Sequence, residues 1–289
     1  MLAGAYRSGI SMRNVLMIGH QALLLHPSEL KTLQREFSLR FENYKWGEYA
    51  DRFLKDCLGA AKIDVLDYSS YEGANILHDL SRPLPDELIG KYDLVIEAGT
   101  LEHIFNFPVA IANLMKAMTI GGWLIASTIS NNLCGHGFYQ FSPELIFRIF
   151  TADHGFELSK VFAMEASYPG VELSPAKHVY EVADPATLSC RIGLVTRRPV
   201  LLFFDAQKTS DMPIFANSPM QSDYAAAWQS TQKAPSSRVP HWVKSLPHYA
   251  PIRAMLLETA PARALQNCLR GRQQLRQFSL GNKRFFRKV

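Results

Sequence analysis

Apolar residues arrive along this chain in short runs closed by glycine or a polar cluster, and between those runs they recur at helical spacing. Asn14 to Gly19, NVLMIG, predicts a first strand. Pro27-Ser28-Glu29 opens a helix to about Phe37 with Ser28 as its N-cap, and a second helix runs from about Gly47 to Leu58, stopped by Gly59. Ile63 to Asp67 and Ala74 to Leu77 read as the next two strands, and Pro85 to Ile89 as a short helix closed by Gly90. Tyr92 to Ser130 is the most informative stretch. Its run Leu94-Val95-Ile96 suits a parallel strand buried on both faces, and Glu97, Gly99, Thr100, Glu102 and His103 cluster at the carboxyl end. A helix from about Pro108 to Met118, a Gly121-Gly122 turn and a strand from Trp123 to Ala126 follow. Ser142-Pro143-Glu144 starts a helix that runs to about Asp153, with Gly155 as terminator. Phe156 to Met164 and Val200 to Phe204 predict a sixth and a seventh strand. Strand and helix alternate, so the expected fold is α/β, with a doubly wound, mostly parallel seven-stranded sheet.

Length and composition fit this picture: 289 residues, 47% of them hydrophobic, suit one large globular domain with an extension. The α/β domain is expected over 12–207, an irregular Pro-, Ser- and Gln-rich extension over 208–260, and a basic C-terminal tail over 261–289 that can form an amphipathic helix. The net charge of +5 comes from that tail, which holds eight basic residues and no acid beyond Glu258. Without them the 31 bases fall to 23, against 26 acids, so the basic balance of the whole chain does not argue for nucleic-acid binding. The tail either lies on an anionic membrane surface or is simply a solvated helix, with nucleic acid a weaker third reading. The chain lacks an 18-residue apolar run and a signal-peptide layout, and its four cysteines are widely spaced. These features suggest a cytoplasmic protein, with the inner membrane face as the place for peripheral contact.

The ordered set Glu97, Leu101-Glu102-His103 and Gly121-Gly122 resembles the fourth and fifth strands of class I S-adenosylmethionine-dependent methyltransferases. The resemblance implies a Rossmann-like fold with S-adenosylmethionine as cofactor. It places Asp67, at the end of the second strand, on the ribose diol. Asp79 and Leu80, in ILHDLSRPLP, fall to the adenine amino group and ring. Glu97, Gly99 and Thr100 fall near the sulfonium and the methionine chain, where a carboxylate suits the positive charge. In the first loop, VLMIGHQAL, Gly19 matches the first family glycine, but Gln21 and Leu23 stand where further glycines are usual and Met17 where an acid often sits. The loop then either takes another path, with His20 and Gln21 as hydrogen-bonding groups, or holds the methionine end less well. The segments GHQ, YEGA and GHGFYQFSPEL are also similar to a bacterial subgroup of methyltransferase-like proteins with this degenerate first glycine motif, some of them linked to surface glycans.

Methyl transfer to a hydroxyl needs a positioned acceptor and benefits from a general base, for which histidine suits neutral pH. His103, after the fourth strand, and His136, after the fifth, are the candidates, with Glu102, Tyr139 and Gln140 as acceptor-binding groups. No spacing typical of a metal site is present, so no metal is expected. The leading expectation is a methyltransferase acting on a hydroxyl of a small molecule or glycan. The alternative is a catalytically silent methyltransferase fold that serves as a binding or scaffold module. A nucleic-acid substrate ranks below both.

Overall fold

The computed structural model describes residues 1–167, 170, 178–188, 190–229 and 260–289. Most of the expected extension over 208–260 lies outside the described residues. Nine strands form one sheet: β1 (Asn14–Ile18), β2 (Lys62–Asp67), β3 (Ile76–Leu77), β4 (Tyr92–Ala98), β5 (Met118–Asn131), β6 (Phe156–Glu165), β7 (His178–Val182), β8 (Val200–Lys208) and β9 (Phe286–Lys288). Their order is β3-β2-β1-β4-β5-β8-β6-β7-β9. The first five pair in parallel, and β8 and β7 are reversed, so seven of the nine strands point the same way. The sheet is the expected mostly parallel, doubly wound one, with two strands more than the seven anticipated.

Period-two alternation sorts the parallel strands between two cores. Val15 and Met17 of β1, Val65 of β2 and Ile96 of β4 face one side, where α1 (Leu2–Arg7) and α3 (Asp51–Leu58) cover them through Ala3, Phe53, Leu54 and Leu58. Leu16, Ile18, Leu66 and Val95 face the other, under α4 (Phe107–Ala117) and α5 (Pro143–Ile149). Because both faces are buried, these strands read as continuous apolar runs. The packed fold begins before residue 12, since Ala3 of α1 is buried in the first core.

Several boundaries moved for local reasons. The N-cap of helix α2 (Pro27–Phe37) lies two residues before the expected Ser28: His26 is the cap, and its N–H donates to Glu29 Oε2 at 2.8 Å. Residues 47–50 are not helical, because their backbone pairs with the loop after β1: Leu23 N–H donates to the Glu48 carbonyl and Ala50 N–H to the Gln21 carbonyl. Ser142 caps α5 as its sequence implied, accepting from Leu145 N–H, but the helix ends at Ile149. Gly121 and Gly122 lie within β5, where Gly121 takes a φ of 86° and the pairing with β4 shifts register.

The shorter helices α6 (Pro185–Leu188) and α7 (Ser222–Gln229) follow, and the basic stretch forms α8 (Ala260–Gln277). That stretch does not end as a free tail. Beyond α8 the chain turns back, buries Phe285 and Phe286, and adds β9 antiparallel to β7. Eight basic residues hid this pair of phenylalanines, whose burial outweighs the exposure of the charges beside them.

Candidate functional site

Chain order reverses between β1 and β4. From β1 the chain winds outward to β2 and β3; from β4 it winds the opposite way to β5. In an open α/β sheet the crevice for a ligand lies at the carboxyl ends of the strands flanking such a reversal. Leu66, Ile18 and Glu97 stand side by side there, so the loops after β2, β1 and β4 open from one level, while β5, aligned at Ala126, runs on to Asn131.

The loop after β1 is knotted tightly. Gly19 turns with a φ of 68°, and a Cβ on it would lie 3.2 Å from Thr100 Oγ1, 3.5 Å from Gln21 Nε2 and 4.0 Å from Asp67 Oδ2. Four candidate residues from three strand ends therefore converge. Thr100 Oγ1 and Gln21 Nε2 both donate to the Ile18 carbonyl, at 3.2 and 2.7 Å. His20 turns away from the crevice: its ring bonds the Glu72 carbonyl and Asp51 Oδ2, each at 2.6 Å, and stacks on Tyr49 at 3.5 Å. It fastens the loop rather than lining the crevice. Leu23 packs against the α3-side core, and Met17, in the position where an acid was sought, is fully buried in it.

Asp67 sits at the end of β2. Its Oδ1 accepts Tyr68 N–H at 2.5 Å, and its Oδ2 is the oxygen turned towards Gly19. Asp79 lies beyond β3, with Oδ1 accepting Ser81 N–H and Oδ2 3.6 Å from Arg82 Nε. Leu80 is core: it is buried among residues of α4, and its carbonyl accepts from the Asn113 side chain. That side chain also bonds Arg82 O and Leu84 N–H, pinning the whole 80–84 loop.

The two carboxylates near the end of β4, Glu97 within it and Glu102 beyond it, have separate roles. Glu97 faces the α4 side with Ile18 and Leu66 and is only 1% exposed. Its Oε1 accepts three backbone N–H groups, from Gly99, Thr100 and Leu101 at 3.0, 2.5 and 3.1 Å, while Oε2 is buried without a partner. Burial, followed by the nearby Glu102, pushes its carboxyl up to about 8 against the pull of those three bonds. With Oε1 bent under its own turn, Glu97 is poorly placed to neutralise a sulfonium. Glu102 lines the crevice instead. Its Oε2 accepts the Thr128 hydroxyl at 2.9 Å, and its Oε1 stands 3.8 Å from His136 Nε2. The His103 and His136 rings are 5.0 Å apart.

The loop carrying His136 is clamped on Glu102. Phe138 and Tyr139 N–H donate to the Glu102 carbonyl, and a Cβ on Gly137 would come within 2.8 Å of that oxygen. Only glycine allows this approach. Gln140 turns back on the same loop and accepts from Leu133 N–H.

These elements surround a cavity of about 570 Å³, within the range of small-molecule sites. Gln21, Gly99, Glu102, Thr128 and His136 line it, with Phe203 of β8 on the far wall. Of the residues singled out from sequence, Gln21, Gly99, Glu102 and His136 line this space. Gly19, Thr100 and Asp67 adjoin one another beside it; His20, Leu80 and Glu97 are engaged elsewhere, and Asp79 is held in its own turn. Thr128 and Phe203 gave no sequence signal beyond strand membership, since a hydroxyl or ring at a sheet position becomes legible only when its neighbours are known.

No protein-family model matches the chain, and no curated protein matches it in sequence. Among solved structures the chain is similar to a SAM-dependent methyltransferase, possible histamine N-methyltransferase, of Thermotoga maritima. That likeness has 15% identity and a TM-score of 0.41, and covers 72% of this chain and 87% of the other. It is also similar to the N-methyltransferase NodS of Bradyrhizobium japonicum in complex with S-adenosyl-L-homocysteine, at 13% identity, 72% and 84% coverage and a TM-score of 0.38. A third is the 1,6-didemethyltoxoflavin-N1-methyltransferase of Burkholderia thailandensis, at 11% identity, 72% and 77% coverage and a TM-score of 0.38. With TM-scores below 0.5 these likenesses carry no residue or activity across; the geometry of the site carries the argument.

Proposed function

We propose that this protein is an S-adenosylmethionine-dependent methyltransferase acting on a hydroxyl of a small molecule or glycan. The observation that carries the reading is the cavity at the topological switch point, which stays open although the first loop lacks its further glycines. Leu23 packs against the α3-side core and Gln21 folds back on the Ile18 carbonyl, so neither side chain fills it. Asp67, with Oδ2 turned to Gly19, is the group for the ribose diol; Gly19 and Gly99, at φ values of 68° and 100°, allow backbone approach to the methionine end.

The acceptor side supports a hydroxyl. The His136 imidazole, held beside Glu102, would take the acceptor proton, and S-adenosylmethionine would supply the methyl group to the acceptor oxygen. S-adenosylhomocysteine and the methyl ether are the products. The exposed rings of Phe105 and Phe138, 6.0 Å apart, stand on the loops bearing the two histidines and suit the apolar face of a sugar ring. For the basic helix α8 we propose peripheral contact with an anionic membrane: Leu269 and Leu275 are exposed beside Arg270, Arg272 and Arg276. Co-sedimentation with phosphatidylserine vesicles, lost at high salt, is the expected result.

Isothermal titration of the full chain with S-adenosylmethionine and S-adenosylhomocysteine tests the central reading. Both are expected to bind, and Asp67→Ala to weaken both by about tenfold or more, the loss of a charge-assisted hydrogen bond. Absence of binding by either at millimolar concentration leaves the silent scaffold as the better reading.

A further inference from the structure

We infer that Glu102, His103 and His136 form a binding site for a divalent first-row transition-metal ion at the acceptor side of the cavity. No spacing in the sequence announces it, because folding brings the third ligand in from the next loop. One ligand atom from each of the three side chains lies within 4.8 Å of the other two; among the described residues this is the one such group of histidine, cysteine and carboxylate.

The carboxylate is built for the task. Glu102 is 1% exposed, and the Thr128 hydroxyl occupies Oε2 at 2.9 Å. That bond orients the carboxylate as an outer partner of a metal ligand does. Oε1 is left facing His136 Nε2 at 3.8 Å, beyond hydrogen-bonding distance. A tetrahedral ion with bonds of about 2.0–2.2 Å needs ligand atoms roughly 3.3–3.6 Å apart. The two imidazoles are exposed, so rotation about their side-chain bonds would have to close the difference. The anchoring is equally specific: the Glu102 carbonyl holds the Phe138 and Tyr139 N–H groups, and Gly137 permits the contact, so His136 is delivered to Glu102 by backbone.

Two imidazoles and one carboxylate suit zinc, iron, cobalt, nickel or manganese better than magnesium or calcium, which prefer all-oxygen sites. Other histidines are committed elsewhere: His20 to Asp51 and Glu72, His154 to the Ile149 carbonyl, His178 to Glu165. Three protein ligands leave open positions towards the cavity. The use of the ion rests on the proposed methyl transfer: bound, it would hold the acceptor oxygen and lower its pKa, His136 would then serve as a ligand in place of the base, and the acceptor proton would pass to water. Metal binding itself does not depend on that reading.

The test uses the untagged full chain, stripped with a chelator and dialysed against Zn²⁺ or Mn²⁺, with metal content read by mass spectrometry. One ion per chain is expected at micromolar free metal. His103→Ala and His136→Ala, both at exposed positions, and Glu102→Gln should each weaken binding by about tenfold or more, with folding checked by circular dichroism. His178→Asn serves as a control and should bind like the parent. Cobalt loading should give visible absorption that His136→Ala removes. No ion retained at about 100 μM free metal, or retention unchanged in the exposed-histidine variants, overturns the inference. S-adenosylhomocysteine titration of the stripped chain separates the two claims. Nucleoside binding without metal sites overturns this inference and leaves the proposed function standing. Metal binding without nucleoside binding overturns the proposed function and supports the site.

Discussion

Glu97 carries three backbone N–H groups on one oxygen and nothing on the other, and its carboxyl is pushed up to about 8, chiefly by burial. The folded state therefore holds a proton that the unfolded chain releases at its ordinary value near 4.5. This stabilisation is full below that ordinary value and is lost as pH rises through about 8. Glu97→Gln, which cannot titrate, should flatten the fall in urea midpoint between about pH 5 and pH 9; an unchanged fall would assign the dependence to other groups. Glu97→Ala should cost about 2–3 kcal/mol at pH 6, because it strands the N–H groups of Gly99, Thr100 and Leu101. The carboxylate was legible in sequence as a strand-end acid, but its orientation was not. In a strand buried on both faces, polarity does not report which way one side chain points.

At the scale of elements, the loops are fixed by contacts no local pattern reveals. Residues 47–50 carry a helical sequence pattern but pair with the loop after β1, and that pairing routes Gln21 and Leu23 away from a glycine-rich path. Gly137 sits where a Cβ would strike the Glu102 carbonyl at 2.8 Å. Gly137→Ala should displace the His136 loop, lowering metal affinity and methyl transfer by about tenfold while thermal stability changes little. The same reasoning applies to β9, whose Phe286 is buried at the end of a charged stretch. Phe286→Ala should cost about 3–5 kcal/mol, read as a lower unfolding midpoint. A helix was expected in this stretch and is present as α8; the strand after it is only three residues long, too short for period-two alternation to register.

At the scale of the molecule, a ligand that binds only the folded chain should raise its unfolding temperature. At about 100 times its Kd, S-adenosylhomocysteine should add about 2.7 kcal/mol to the unfolding free energy, measurable as a thermal shift that a tenfold weaker Asp67→Ala variant roughly halves at the same concentration. The sequence by itself determined the doubly wound sheet, its first five strands and the end of the sheet where the loops gather. Apolar runs, helix caps and glycine stops are local, and each is set by the residues that carry it. Only the tertiary structure decided which side chains meet there. It turned Glu97 and His20 away from the crevice, sank Leu80 into the core, and set Glu102 against Thr128, His103 and His136. Those outcomes depend on strand order and on backbone bonds between loops 30 or more residues apart, as in Glu102 with Phe138 and Gly19 with Leu66. Contacts of that range are fixed by the packing of the whole sheet.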